Sequence, residues 1–330
     1  YKIMTTKMIA ELCQNHNGDV GIIKEMVAAA AESGADYAKI QTIHSSQLTH
    51  RKRFDEGLIE GGKIKTIKRP YDQELERLKT LDIDDKAVEV FLEACKENKV
   101  KPMTTIFTRD VIKKTFDQGF KSIKLASFDC ISYPLAKEII HFKPDLLIVS
   151  TGCSYKNEIM EMAKIIKNVP NHALLHCVSI YPTPLNEANI SRIDFLKSLV
   201  KKVGLSDHSE YSQNKLEILK WCVCKNIDFV ERHFTILGKD KTKDGRVSLN
   251  PSELREAIEI CNWGEEKKEE FINANKKDQE LIEGDPNREL SEIELLNRDY
   301  YQGRFASKDR TNETVYNWDT SYSTDNLVIK

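Results

Sequence analysis

The sequence predicts an α/β protein of the TIM type, an eight-stranded (β/α)8 barrel followed by an extended C-terminal arm. Three observations lead there. Eight short apolar runs alternate with longer amphipathic ones. Together they fill about 260 residues, close to the usual length of such a barrel. No run is followed by the G-x-G-x-x-G of an open dinucleotide-binding sheet.

The strands are read at 8–13 (MIAELC), 36–42 (DYAKIQT), 101–107 (KPMTTIF) and 122–127 (SIKLAS). The other four are 146–151 (LLIVST), 172–178 (HALLHCV), 203–208 (VGLSDH) and 229–234 (FVERHF). Over 20–33, Ile23, Met26, Val27 and Ala30 recur at helical spacing, behind a cap at Asp19 and before Gly34. Val88, Phe91, Leu92 and Cys95 repeat the pattern over 85–98. Segments 110–118, 134–141, 157–168, 210–225 and 251–263 are read as helices in the other gaps. Trp221 and Trp263 fall on helical faces as packing residues.

Two stretches lie outside the eight units. Residues 43–84 are long, polar and basic, an excursion over the barrel mouth with a short helix near 72–80 and a solvated loop at 63–69. Residues 264–330 begin as a charged helix, turn at Asp285-Pro286 and lose apolar periodicity, which predicts an arm or linker that leaves the barrel. The expected division is a barrel domain at 1–263 and an arm at 264–330.

Composition excludes several classes. A net charge of −2 over 330 residues excludes strong non-specific nucleic-acid binding. With 40% hydrophobic and 31% charged residues the chain folds rather than staying disordered. No stretch nears the roughly 18 apolar residues of a membrane span. The eight cysteines are scattered and only Cys222 and Cys224 are close, so they read as reduced thiols of a cytoplasmic protein rather than a disulfide or zinc framework. No secretory leader is visible, and a start at Tyr1 instead of Met predicts that the natural N-terminus lies upstream. Sequons at Asn189 and Asn312 read as chance.

The C-terminal strand ends, where this fold places active sites, are polar in every unit. They carry Glu11, Asn15 and His16; Lys39 and Gln41; Thr104 and Thr105; Lys124, Ser127 and Asp129; Ser150 and Thr151; Ser179 and Tyr181; Ser206, Asp207 and His208; Glu231 and His233. Side chains two apart share a strand face, which pairs Lys39 with Gln41, Ser206 with His208 and Glu231 with His233. Interior lysines at 39 and 124 among hydroxyls predict an anion cradle for phosphate or carboxylate. The alternative is an internal salt-bridge network of Lys39 with Glu11 or Glu231. His208 and His233, on neighbouring strand ends, suit one divalent metal. His176 reads as a core residue, and His16 as a loop residue. Cys130 and Cys153 have no base beside them and are not read as nucleophiles.

The segments IAELCQNHNGD (9–19), SGADYAKIQT (33–42), TTIFTRD (104–110), IKLASFDCISYPL (123–135), STG (150–152), LLHCVSIYPTP (174–184), GLSDHS (204–209) and ERHFT (231–235) together resemble the N-acetylneuraminate (sialic acid) synthase family. That resemblance implies condensation of phosphoenolpyruvate with an N-acetylmannosamine-like amino-sugar aldehyde, in a homodimer. It implies phosphoenolpyruvate contacts from Lys39, Thr105, Lys124, Ser127, Ser150 and Ser206, with Ser179 where the family usually has Asn. His208 and His233 would bind the metal, commonly Mn2+, with Mg2+ or Co2+ as alternatives. Glu11, Gln41, Asp129, Tyr181 and Asp244 would address the sugar, and Asp129 stands where the family usually has Glu. Glu11, Asp129 and His233 would be the catalytic set. Residues 302–330 look like the opening of the family's C-terminal antifreeze-like domain, truncated or degenerate.

The implied chemistry joins the phosphoenolpyruvate methylene carbon to the aldehyde carbon, adds water, and expels phosphate by C–O cleavage. Competing readings are a related phosphoenolpyruvate-condensing 3-deoxy-sugar-acid synthase, a Schiff-base aldolase using Lys39 or Lys124, and an inactive sugar-binding or scaffold protein.

Overall fold

The computed structural model describes residues 5–328; Tyr1 and Lys330 lie outside them. The eight barrel strands are β1 (Lys7–Cys13), β2 (Tyr37–Gln41), β3 (Lys101–Thr105), β4 (Ser122–Leu125), β5 (Leu146–Ser150), β6 (His172–Cys177), β7 (Val203–Asp207) and β8 (Phe229–His233). All run parallel, each beside its sequence neighbour, and β1 closes the barrel on β8. Several strands end one or two residues earlier than their apolar runs suggest, because the polar tip bends away to form the mouth.

Alternation along these strands builds two cores. Met8, Ala10, Ala38, Ile40, Ile123, Leu125, Leu147, Val149 and Val230 face outward and pack under the helices. Ile9, Tyr37, Met103, Leu146, Ile148, Ala173, Leu175 and Phe229 fill the barrel's lower interior. The same parity then switches chemistry one layer up. Register sets Glu11 beside both Lys39 and His233, Thr105 beside Lys124, and Ser206 beside Cys177 and Glu231. A polar plate therefore rests on an apolar plug.

The helix ends follow from local chemistry. Asp19 caps Val20–Glu32 by accepting from the Ile22 N–H at 3.1 Å, and Asp84 caps Asp85–Glu97 from the Ala87 N–H at 2.8 Å. The excursion contains the expected helix, Tyr71–Lys79, and also an unpredicted hairpin, Leu58–Glu60 with Lys63–Thr66. Gly61 and Gly62, with φ of 57° and 76°, make its turn. Its side chains are exposed, so burial left no alternating signature in the sequence.

The C-terminal segment does not leave the barrel. Helices Glu265–Ala274, Lys276–Glu283 and Glu292–Tyr301 pack back onto it, followed by a small sheet, Ser307–Lys308 with Thr314–Val315. A few large anchors replace a continuous stripe. Phe271 meets Trp221 and Trp263 at ring distances of 5.2 and 5.5 Å, and Ile282, Tyr300, Phe305 and Val315 are buried. Polar ties do the rest: Arg298 bridges to Glu158 and Arg304 to Glu74, while Arg288 pairs with Glu294 inside the segment. Sparse anchors of this kind carry no 3.6-residue period, which is why periodicity pointed to an arm.

Candidate active site

The barrel mouth holds a cavity of about 560 Å3. It is lined by Glu11, Lys39, Gln41, Thr105, Lys124, Ser127, Asp129, Ser150, Tyr181, Ser206, His208, His233 and Asp244. The structure thus brings together all but one of the site residues read from sequence. The exception is Ser179, fully buried behind the wall, with its carbonyl accepting from Asn297 at 2.8 Å. Two further expectations hold in place: His176 is buried and bonded to the Ala188 carbonyl at 2.7 Å, and His16 accepts from the Gly18 N–H at 2.9 Å within its loop.

At the floor, charge is matched. Lys39 pairs with Glu11, bonds Thr105 Oγ1 at 2.9 Å and lies 3.7 Å from Glu231. Lys124 donates to both Glu231 oxygens at 3.0 and 3.1 Å, and Ser206 donates to the same carboxylate at 3.0 Å. All four charged groups are at most 5% exposed. Burial pushes the Lys39 ammonium down to about 7, against the pull of Glu231. Burial also pushes the Glu231 carboxyl up, but Lys124 and Lys39 together hold it well below the usual carboxylate range. The network foreseen as the alternative to an anion cradle is therefore formed, and it uses the cradle's own lysines.

Beside it the hydroxyls crowd around Gly152. A Cβ there would stand 2.4 Å from Ser179 Oγ and 2.8 Å from Ser127 Oγ, so only glycine fits. The Gly152 N–H donates to Ser127 Oγ at 3.1 Å. Ser150 Oγ is buried and has no partner among the described residues.

His208 and His233 face each other with ring centroids 5.1 Å apart, and Tyr181 lies 4.4 Å from the His208 ring. Burial lowers both imidazoles below their usual pKa, which keeps them neutral, the form that ligates metals. His233 Nδ1 is buried without a hydrogen bond among the described residues, 3.8 Å from Asp244 Oδ2. An unpartnered imidazole nitrogen facing a carboxylate fits a divalent ion.

Residues of opposite parity fix these tips. Arg232, fully buried on the outer face of β8, pairs with Asp207 and donates to the Ser209 hydroxyl and carbonyl at 3.0 and 2.9 Å, holding the loop that carries His208. Asn15 ties β1 to the Phe234 carbonyl and Ser248, both at 2.9 Å, and Ser248 reaches the Asp244 carbonyl at 2.7 Å.

Sequence reading missed the rim. Arg69, Arg77, Lys243, Tyr301, Arg304 and Asn317 also line the cavity. Arg77 and Arg304 share Glu74. Lys243 is pushed down to about 8, by loss of water first and then by the Arg77 charge. Asn317 donates to Asp129 at 2.9 Å and to the Phe107 carbonyl at 2.7 Å. Burial raises the Asp129 carboxyl to about 6, while Asn317 and Ser132 pull it back. The advance signal was the Arg and Lys content of 43–84, which covers Arg69 and Arg77 alone.

The model of the NeuB family matches residues 26–270. The N,N'-diacetyllegionaminic acid synthase of Campylobacter jejuni is 30% identical over 255 residues, 76% of this chain and 73% of that protein. A pseudaminic acid synthase of the same species is 28% identical over 92% of this chain and 82% of its own length. In fold, the chain matches the N-acetylneuraminic acid synthetase of Leptospira borgpetersenii, solved with citrate, at a TM-score of 0.67 and 24% identity, covering 82% of this chain and 92% of that one. With a family model across most of the barrel and relatives named as synthases, the chain belongs to the NeuB family of sialic and other nonulosonic acid synthases, and is an enzyme.

Proposed function

We propose that the cavity joins phosphoenolpyruvate to the open-chain aldehyde of an amino sugar, releasing phosphate. The observation that carries this is the buried floor: two lysines and a Ser150 hydroxyl without a partner among the described residues on one side, two apposed histidine rings on the other. Lys39 and Lys124 receive the phosphate and carboxylate, releasing Glu11 and Glu231 from full pairing. Thr105, Ser127, Ser150 and Ser206 supply neutral donors. Ser179, behind the wall, supports Ser127 and Gly152. Gln41, Tyr181 and Asp244 orient the sugar.

A divalent ion held by His208 and His233, Mn2+ or alternatively Mg2+ or Co2+, would polarise the aldehyde oxygen. The methylene carbon of phosphoenolpyruvate attacks the aldehyde carbon. Glu11 or Asp129 holds the proton that the new hydroxyl takes, and accepts one from the water added at the neighbouring carbon. The tetrahedral product then loses phosphate by C–O cleavage, its charge already matched by the fixed lysines.

We read the protein as a cytoplasmic homodimer. Eight free cysteines suit a reducing compartment, and the exposed Ile59, Ile64 and Ile293 give an apolar surface beside the mouth. The test is phosphate release from phosphoenolpyruvate with Mn2+ and a panel of amino sugars. Turnover with one sugar, lost by at least about a hundredfold in His208→Ala, is expected. No release with any sugar overturns the synthase reading.

A further inference from the structure

Cys13 is the last residue of β1 and is fully buried. A register shift between Glu11 and Cys13 breaks the regular pairing with β2, and Cys13 takes a φ of 42°, a backbone region that side chains other than glycine rarely adopt. The bulge sets the cysteine beside His233 and Asp244, just behind the cavity lining. There its sulfur, a His233 ring nitrogen and an Asp244 carboxylate oxygen all lie within 4.8 Å of one another.

The spacings suit a shared ion. Two ligands about 2.1 Å from a tetrahedral centre stand about 3.4 Å apart. His233 Nδ1 and Asp244 Oδ2 are 3.8 Å apart, too far to hydrogen-bond and close to that separation. His233, 9% exposed, keeps that nitrogen unpartnered among the described residues. The three groups are also held from behind. The Cys13 N–H donates to Glu11 at 2.7 Å, and the Asn15–Ser248–Asp244 chain fixes the carboxylate's loop.

We infer that Cys13, His233 and Asp244 form a thiolate-containing divalent-metal site, with Cys13 and Asp244 supplying ligands that the pairing of His208 with His233 does not include. The inference rests on the reading that the mouth holds a divalent ion. On binding, the thiol proton leaves to solvent and the thiolate takes its place on the metal. Sulfur shifts the preference from Mg2+ and Mn2+ toward Zn2+, Co2+ or Fe2+. Asp244 then serves the metal rather than the sugar.

The test is anaerobic titration of chelator-treated protein with Co2+, followed by absorption. One equivalent should bind and produce a near-ultraviolet sulfur-to-cobalt charge-transfer band. Cys13→Ser should lose that band with an unchanged circular dichroism spectrum, and Cys177→Ser, the control at the cysteine that lines the cavity, should keep it. Asp244→Asn should weaken Co2+ binding by about tenfold or more. Cobalt bound without the band, a band that survives in Cys13→Ser, or no cobalt bound in equilibrium dialysis overturns the site. X-ray absorption of the wild-type cobalt form decides the matter without any variant: sulfur bonded to cobalt supports it, and nitrogen and oxygen alone refute it. The two readings fail separately. Turnover without a thiolate band removes Cys13 and keeps the synthase. A thiolate band without phosphate release does the reverse.

Discussion

At the floor of the cavity Lys39 and Lys124 face Glu11 and Glu231; at its rim Arg69, Arg77, Lys243 and Arg304 surround Glu74 and Asp244. The floor carries two charges of each sign, and the rim four positive against two negative. Water explains the difference. Floor side chains are almost fully buried, where an unmatched charge is strongly unfavourable, so each lysine rests on a carboxylate until substrate arrives. Of the rim groups Arg69, Arg77, Lys243 and Asp244 reach solvent, while Arg304 is buried against Glu74, and this partly solvated edge tolerates an excess that favours approach of an anion. The floor selects by exchange of partners, and the rim by long-range attraction.

The largest expected effect comes from breaking the floor. Lys124→Met leaves Glu231 buried with only Ser206 and the more distant Lys39. Phosphate release should fall by about a thousandfold or more. Stability in urea unfolding should drop by about 3–5 kcal/mol, the usual cost of stranding one member of a buried pair. Adding Glu231→Leu should recover much of the stability and none of the activity. Full activity in Lys124→Met would remove the floor from the mechanism.

A middle-sized effect tests the rim. Lys243 makes no hydrogen bond among the described residues, so Lys243→Gln should leave the urea midpoint nearly unchanged. Its kcat/KM for phosphoenolpyruvate should fall several-fold at low ionic strength. The defect should vanish near 1 M salt, where the screening length is about 3 Å. A defect that persists at high salt would show direct contact in place of steering.

The floor was legible in the sequence because alternation along a strand converts spacing into facing: Lys39, Lys124, Glu231 and His233 all sit where parity put them. The rim was not, because its side chains come from separate elements that no single period relates. Arg77 comes from a helix in the excursion, Lys243 from the loop after β8, and Arg304 from the C-terminal segment. These meet only after the tail folds back, and the tail is held by isolated anchors such as Phe271 and Arg298 that leave no stripe. Cys13 was hidden differently. Within an apolar run it reads as a small core residue, and only the bulge beside it reveals the turn toward His233.

The smallest effect lies where floor and rim meet, at Asp129. Burial raises its carboxyl to about 6, and Asn317 from the C-terminal segment opposes this by donating to the charged form. If Asp129 accepts a proton in the reaction, kcat/KM rises with pH through about 6 and levels above it. Asp129→Asn should abolish that limb. Asn317→Ala removes a donor to the carboxylate, so the limb should move to higher pH, by less than a unit. Stability follows with a definite sign. Because the native state holds the Asp129 proton more tightly than the unfolded chain, this residue's contribution is greatest below about 4 and declines as pH rises to about 6. Urea midpoints measured across that window against Asp129→Asn isolate the slope, and Asn317→Ala should extend the decline to higher pH. An acid limb unmoved by Asn317→Ala would mean that the C-terminal segment covers the mouth without tuning the groups inside it.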